Sequence, residues 1–208
     1  QAFSDPKVLK LCFIYFMWVI GFWGFNFWMP TVLKGLSGWS TGFLGGAIAI
    51  PMTAALLVQV IIGKTSTKTG DKVWHVALAL FVGAVGLGLS PFADDMYTAL
   101  FLVCLSAIGI YAAMGVWWTI PTSFLSGSAA AGSVALINSC GNLGGWVGPY
   151  MMGWLKTETG SFDTGYFLMA LFMFIAALTV LTIQYSWNGK RKTAQRESEH
   201  PLTLQQEA

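Results

Sequence analysis

Four carboxamides, Asn26, Gln59, Asn138 and Asn142, stand inside long apolar runs, with Tyr15, Tyr111, Trp118 and several Ser and Thr residues beside them. An amide moved into hydrocarbon without a partner costs about 2–7 kcal/mol, so each must meet another helix, a water or a ligand. No Asp, Glu or His stands at depth in the same runs, so the nucleophiles, bases and metal ligands that intramembrane catalysis needs are missing. The chemistry on offer is recognition through neutral hydrogen bonds and aromatic faces. Neither an enzyme nor a bound cofactor is expected. Cys12, Cys104 and Cys140 lie in apolar runs without ligand-like spacing to one another or to His75 or His200, and read as small buried hydrophobes with no disulfide and no metal site.

The spacing of these groups is helical. Asn138 and Asn142 are one turn apart and share a face. In the same run Gly141 and Gly145 form one small-xxx-small pair and Gly144 and Gly148 another, so this helix can approach its neighbours closely and bend near Pro149. Two roles are open to the amides: gluing helices together or, for Asn138, lining a solute cavity near mid-membrane. Tyr111, Gly115 and Trp118 fall on one stripe. Trp117 reads as an interfacial belt residue, and Trp118 as either belt or cavity wall. Tyr15, Trp18, Phe22 and Asn26 follow i, i+3, i+4 spacing and serve either packing or binding; in a cavity their rings would hold a planar or ring-bearing organic solute, with Asn26 supplying a hydrogen bond.

The elements that position them are membrane spans. A hydrocarbon core about 30 Å thick needs about 20 mostly apolar helical residues. Residues 8–33, 42–63, 74–92, 97–120, 132–155 and 165–187 qualify, and none of the Lys, Arg, Asp and Glu residues lies near the middle of any. The runs lack the two-residue period of a membrane barrel, and the first is too long for a cleaved signal and is followed by more spans. A content of 55% apolar and 10% charged residues cannot cover a water-facing surface.

Net charge is only +2, and placement says more than the total. Lys7, Lys10, Lys64, Lys68, Lys72, Lys190, Arg191, Lys192 and Arg196 fall on one side of the spans. Lys34 and Lys156 lie opposite, with Asp94, Asp95, Glu158 and Asp163. The positive-inside rule makes both termini cytoplasmic, as an even number of spans requires. The basic residues flank lipid, and no nucleic-acid partner is expected. Residues 188–208 are polar and read as an unstructured cytoplasmic tail.

Sliding the chain by 90 residues aligns Trp28 with Trp118, Gly63 with Gly153, Thr67 with Thr157, Thr69 with Thr159 and Gly70 with Gly160. With one residue of slack, the run Pro30, Thr31, Leu33, Gly35 matches Pro121, Thr122, Leu125, Gly127. Residues 1–92 and 93–187 then form two three-span repeats, and an odd number of spans sends the second through the membrane in the opposite sense. The fold class expected is an all-α membrane protein of six transmembrane helices in two inverted repeats.

The run Trp117-Trp118-x-x-Pro121-x-x-x-Leu125-x-Gly127 with Ile137-Asn138-Ser139-x-Gly141-Asn142-Leu143-Gly144-Gly145-x-x-Gly148-Pro149 resembles the fourth and fifth spans of the C-terminal bundle of major facilitator superfamily transporters. The branch it resembles is the anion:cation symporters, which include bacterial tartrate, phthalate and 4-hydroxyphenylacetate permeases. Gly63-Lys64-x-Ser66 through Gly70-Asp71-Lys72 resembles a cytoplasmic loop of the same superfamily, with Thr67 and Lys68 where acidic and arginine residues are usual. The resemblance implies two six-span bundles rocking about a midplane site. With Gln1 just ahead of what would be the seventh span, the chain is expected to be the C-terminal half, its partner the missing N-terminal bundle. The implied activity is proton-coupled uptake of a small organic carboxylate across a bacterial inner membrane, with the charged groups supplied by the absent bundle. By motif position Trp118 and Asn138 would contact solute; Asn26 and Tyr15 join them by spacing, and Asn142 and Tyr111 as their neighbours. The alternative from another class is a self-contained six-span oligomeric pore or scaffold, for which no ring of charged filter residues is evident.

Overall fold

In a computed structural model the backbone is described for residues 5–123 and 127–199, with side chains in those ranges except at 36, 41, 127–129 and beyond 183. The described residues form α1 (Pro6–Ser37), α2 (Thr41–Thr69), α3 (Val73–Leu89), α4 (Met96–Trp117), α5 (Gly127–Thr159) and α6 (Asp163–Glu199), with 3-10 turns at Ser90–Phe92 and Pro121–Ser123. Helix is the local solution that pairs every backbone amide within its own segment where no water can. Starts are set by side chains. Asp5 accepts from the Lys7 amide at 2.8 Å with Pro6 in the first turn. Asp95 accepts from the Tyr97 and Thr98 amides at 2.8 and 3.0 Å and from the Thr98 hydroxyl at 2.5 Å. Those bonds, the Thr98 hydroxyl first, hold the Asp95 carboxyl below the usual carboxylate range.

Among the described residues five stretches are long and apolar enough to cross a bilayer: Pro6–Gly35, Gly42–Thr69, Val73–Phe92, Met96–Ser123 and Asp163–Ile183. The sixth expected span, α5, has the length at 33 residues, but its Gly, Ser and Asn residues dilute its apolar character. The helices also overrun the expected spans, α2 reaching Thr69 and α5 occupying Gly127–Thr159. Where the sequence leads one to expect an unstructured tail from 188, the backbone of α6 continues as helix to Glu199. That stretch is rich in Lys, Arg, Gln and Glu, all good helix formers. The rest of the expected tail, 200–208, and Leu125 of the aligned Pro121 run lie outside the described residues.

The helices pack in two rows. α1 and α4 meet at the centre of one row; α5 lies along α1 and α2 along α4. Behind them α6 packs on α1, α3 on α4, and α3 and α6 on each other. Exchanging α1 with α4, α2 with α5 and α3 with α6 leaves this set of pairings unchanged. The exchange also holds at the level of single hydrogen bonds. The Thr67 hydroxyl donates to the Gly63 carbonyl at 2.9 Å, and Thr157 to Gly153 at 3.0 Å. Thr69 donates to Thr65 at 2.9 Å and Thr159 to Leu155 at 2.8 Å. The amides of Asp71 and Ser161 return to those hydroxyls, both at 3.4 Å. Both helices then end on a glycine in the left-handed region, Gly70 at φ 70° and Gly160 at φ 76°, where a Cβ would be strained.

Glycines let the rows close. A Cβ on Gly148 of α5 would lie 2.2 Å from the Ile20 carbonyl oxygen, and one on Gly144 2.7 Å from that of Phe16. Behind them, a Cβ on Gly109 of α4 would lie 2.0 Å from the Gly83 amide nitrogen of α3. Between the helices Trp18, Phe25, Leu33, Leu80, Ile110, Trp117 and Ile137 are fully buried. The outer face of α2 presents Leu56, Leu57, Val60 and Ile61 unburied, an apolar surface suited to lipid rather than water.

Gly109→Ala is expected to destabilise the bundle by about 1–3 kcal/mol, because the neighbour it would strike is backbone and cannot rotate away. Gly63→Ala, at a helical position with nothing within 4 Å, should be neutral or stabilise by up to about 1 kcal/mol. Thermal unfolding in detergent micelles, the two variants side by side, checks both.

Candidate functional site

The residues singled out from sequence divide between the central pair of helices and α5. From α1, Tyr15, Phe22 and Asn26 face α4; from α4, Tyr111, Trp117 and Trp118 face back. The Tyr111 hydroxyl donates to Asn26 Oδ1 at 2.5 Å, while Asn26 Nδ2 donates to the Phe22 carbonyl at 2.7 Å. The Phe22 ring sits edge-on to Tyr111, centroids 5.1 Å apart. This is a polar cross-link between α1 and α4 braced on an aromatic contact. Both members are half-buried.

One end of the stripe is an aromatic cluster. Tyr15 meets Trp118 edge-on at 5.2 Å, stacks on Trp117 at 5.8 Å with 14° between planes, and meets Trp18 edge-on at 5.7 Å. Trp117 is fully buried against Tyr15 and Trp18, so its expected place in an interfacial belt is corrected: it is a core residue holding α1 to α4. The reason is rotational. Trp117 and Trp118 are neighbours in sequence, about 100° apart around a helix, and only one of them turns outward. Trp118 is the half-buried one. The indole N–H groups of Trp18 and Trp117 find no acceptor among the described residues.

The α1 stripe divides likewise: Trp18 belongs to the core, Tyr15 is 7% exposed, and Phe22 and Asn26 are half-buried. The Tyr15 ring lies on Gly141 of α5, where a Cβ would come within 1.9 Å of it. Gly141 thus brings α5, with Asn138 and Asn142, alongside the cluster. Both amides are exposed on one face of the helix. They are not equivalent: Asn142 Nδ2 donates to the Asn138 carbonyl at 2.9 Å, whereas the Asn138 carboxamide makes no hydrogen bond among the described residues. α5 is also tied to α1 by the Trp28 indole, which donates to the Pro149 carbonyl at 3.0 Å.

Sequence spacing could not show that Cys12 and Cys140, both free thiols, are brought side by side where α1 meets α5. Nor could it show that Gln59 of α2 lies over Gly115, between Tyr111 and Trp118. A shallow groove between α3 and α6, lined by Phe81, Ala84, Val85, Ala170, Leu171 and Phe174, is wholly apolar and involves none of these residues. Among the described residues no group of His, Cys, Asp and Glu is arranged to hold a metal.

Residues 1–149 match a family model described as Major Facilitator Superfamily. Two proteins of Agrobacterium vitis named for tartrate transport are 39% identical over 182 residues and 37% identical over 185 residues. These alignments cover 86% and 88% of this chain but 41% and 40% of the relatives. A protein of Acinetobacter baumannii named as a quinolone resistance transporter is 33% identical over 203 residues, 97% of this chain and 46% of its own length. The chain therefore spans less than half the length of these relatives.

Tyr111→Phe removes the hydroxyl that joins α4 to Asn26 and is expected to lower bundle stability by about 0.5–1.5 kcal/mol. Asn26→Ala should cost no more when added to Tyr111→Phe than the loss of its own bond to Phe22. A double-mutant cycle on thermal unfolding in micelles measures the coupling, and additivity of the two variants would show that the cross-link is not formed.

Proposed function

This chain belongs to the major facilitator superfamily, and from that premise we propose that it is the C-terminal six-span bundle of a secondary transporter that carries a small organic carboxylate into the cell together with protons, by alternating access. The observation that carries this reading is the face along α1, α4 and α5. There Trp118, Asn26 and Tyr111 are half-buried and Asn138 presents an uncommitted carboxamide, all without a charged residue at depth. Tyr15 and Asn142 support that face, the first as an aromatic wall and the second by anchoring to the turn below it.

A neutral wall can orient an anion but cannot neutralise it. Burying an unpaired carboxylate is prohibitive, so a cation and a titrating acid must come from the other bundle, which is the partner this reading requires. The basic residues flanking the spans support cytoplasmic termini and an inner-membrane location. The relatives named for tartrate transport favour a polyhydroxy or dicarboxylic solute. A second reading, export of an aromatic drug-like solute, draws on the aromatic cluster and on the relative named for quinolone resistance.

With the complete transporter in a strain lacking tartrate uptake, accumulation of radiolabelled tartrate that a protonophore abolishes is the expected result. Trp118→Ala and Asn138→Ala should each reduce uptake about tenfold or more, the loss of one contact to a charged solute. Drug export without carboxylate uptake would select the second reading. Ion conductance by this bundle alone in vesicles would replace both with a pore.

A further inference from the structure

Gln59 is the amide that the site as described leaves out. It lies in α2 between Leu56, Leu57, Val60 and Ile61, all exposed to the apolar surroundings of the bundle. It is half-buried, and its side chain makes no hydrogen bond among the described residues. Asn26 and Asn142, by contrast, each donate to a carbonyl one turn back on their own helix. A carboxamide left open in such surroundings is costly unless something else completes it.

Its position says what that is. A Cβ on Gly115 of α4 would lie 3.3 Å from both Cγ and Nε2 of Gln59, so the absence of a side chain there lets the amide lie across α4. Gly115 is itself exposed and falls between Tyr111 and Trp118 on the open stripe of α4. Gln59 therefore reaches the site from the α2 side of the row, while Asn138 stands on α5 at the other side, with α1 and α4 between them.

We propose that Gln59 is a solute-contacting residue, and that it and Asn138 form two neutral poles suited to a solute with hydrogen-bonding groups at both ends, a dicarboxylate or hydroxy acid. This rests on the carboxylate-transport reading above. A carboxamide serves such a solute in two ways, since its NH₂ donates to a carboxylate oxygen and its carbonyl accepts from a hydroxyl. Gly115 acts by position alone: a methyl group there pushes the flexible end of Gln59 aside without striking backbone.

The test uses the complete transporter and radiolabelled tartrate, malate and succinate. Gln59→Ala is expected to raise KM for the best of these by about tenfold or more, while the unfolding temperature stays the same or rises, because an amide without a protein partner has been removed. Gly115→Ala should raise KM to a smaller extent, and Gln59→Asn should recover part of the loss. An unchanged KM in Gln59→Ala overturns the proposal, as does a fall in unfolding temperature that accompanies the loss of uptake and marks Gln59 as a structural residue; the transport reading survives both. If the wild-type protein takes up none of the three acids, this proposal and the carboxylate reading fall together.

Discussion

Contact between helix backbones is the constraint on which the remaining features depend. In a hydrocarbon medium apolar side chains gain little by leaving lipid for protein, so helices associate through close packing and a few polar links. Here α5 reaches α1 over Gly141, Gly144 and Gly148, and α3 reaches α4 over Gly83 and Gly109. With the α1 backbone pressed into that glycine face, the Tyr15 ring lies over Gly141, between α5 and the tryptophans of α4. The aromatic cluster thus depends on Gly141 having no side chain.

The polar groups sort themselves on that scaffold by whether the protein completes them. Asn26 is used twice, once within its helix and once by Tyr111, so it joins α1 to α4 while one N–H and one oxygen lone pair stay open. Asn142 donates once, to the Asn138 carbonyl. Asn138 and Gln59 are not used at all by the described residues. The sequence sets all four amides alike inside apolar runs, and the hydrogen bonds divide them into those the protein engages and those it leaves open. A residue that braces α1 against α4 also resists any motion that separates them, and this brace stands in the middle of the row while the open amides stand at its flanks.

What the sequence makes legible is periodic or local. Span positions follow from hydropathy, and the close approach of α5 from its paired glycines. The 90-residue offset reappears in the Thr67–Gly63 and Thr157–Gly153 bonds, because a Thr four residues after a carbonyl and a Gly that takes φ near +70° are local rules. Long-range rotation is not legible. Whether Trp117 or Trp118 points inward, whether Cys12 meets Cys140, and whether Gln59 lies over Gly115 all depend on how two helices are turned relative to each other. One position along a helix is about 100° of that turn. Hydropathy also understates α5, because the Gly residues that let it pack, with its Ser and Asn residues, are the ones that dilute its apolar character.

The two ends of the repeat show how one backbone solution is used twice with different charge. After Gly63 and after Gly153 the chain makes the same threonine hydrogen bonds and leaves the helix through the same left-handed glycine. Beside the first of these turns stand Lys64, Lys68 and Lys72, and beside the second Lys156, Glu158 and Asp163. The basic turn is also tied inward, with Lys72 Nζ donating to the Thr119 carbonyl at 3.0 Å, just beyond Trp118. A cation at the carbonyl end of a helix is favourably placed. The basic character of this turn therefore also fixes the end of α4 that carries Trp118. At the equivalent acidic turn, Lys156 instead folds back on the Gly160 carbonyl of its own turn and makes no such link. The repeat is symmetric in backbone and asymmetric in charge, and its charged contact to the central pair of helices is made from the basic side.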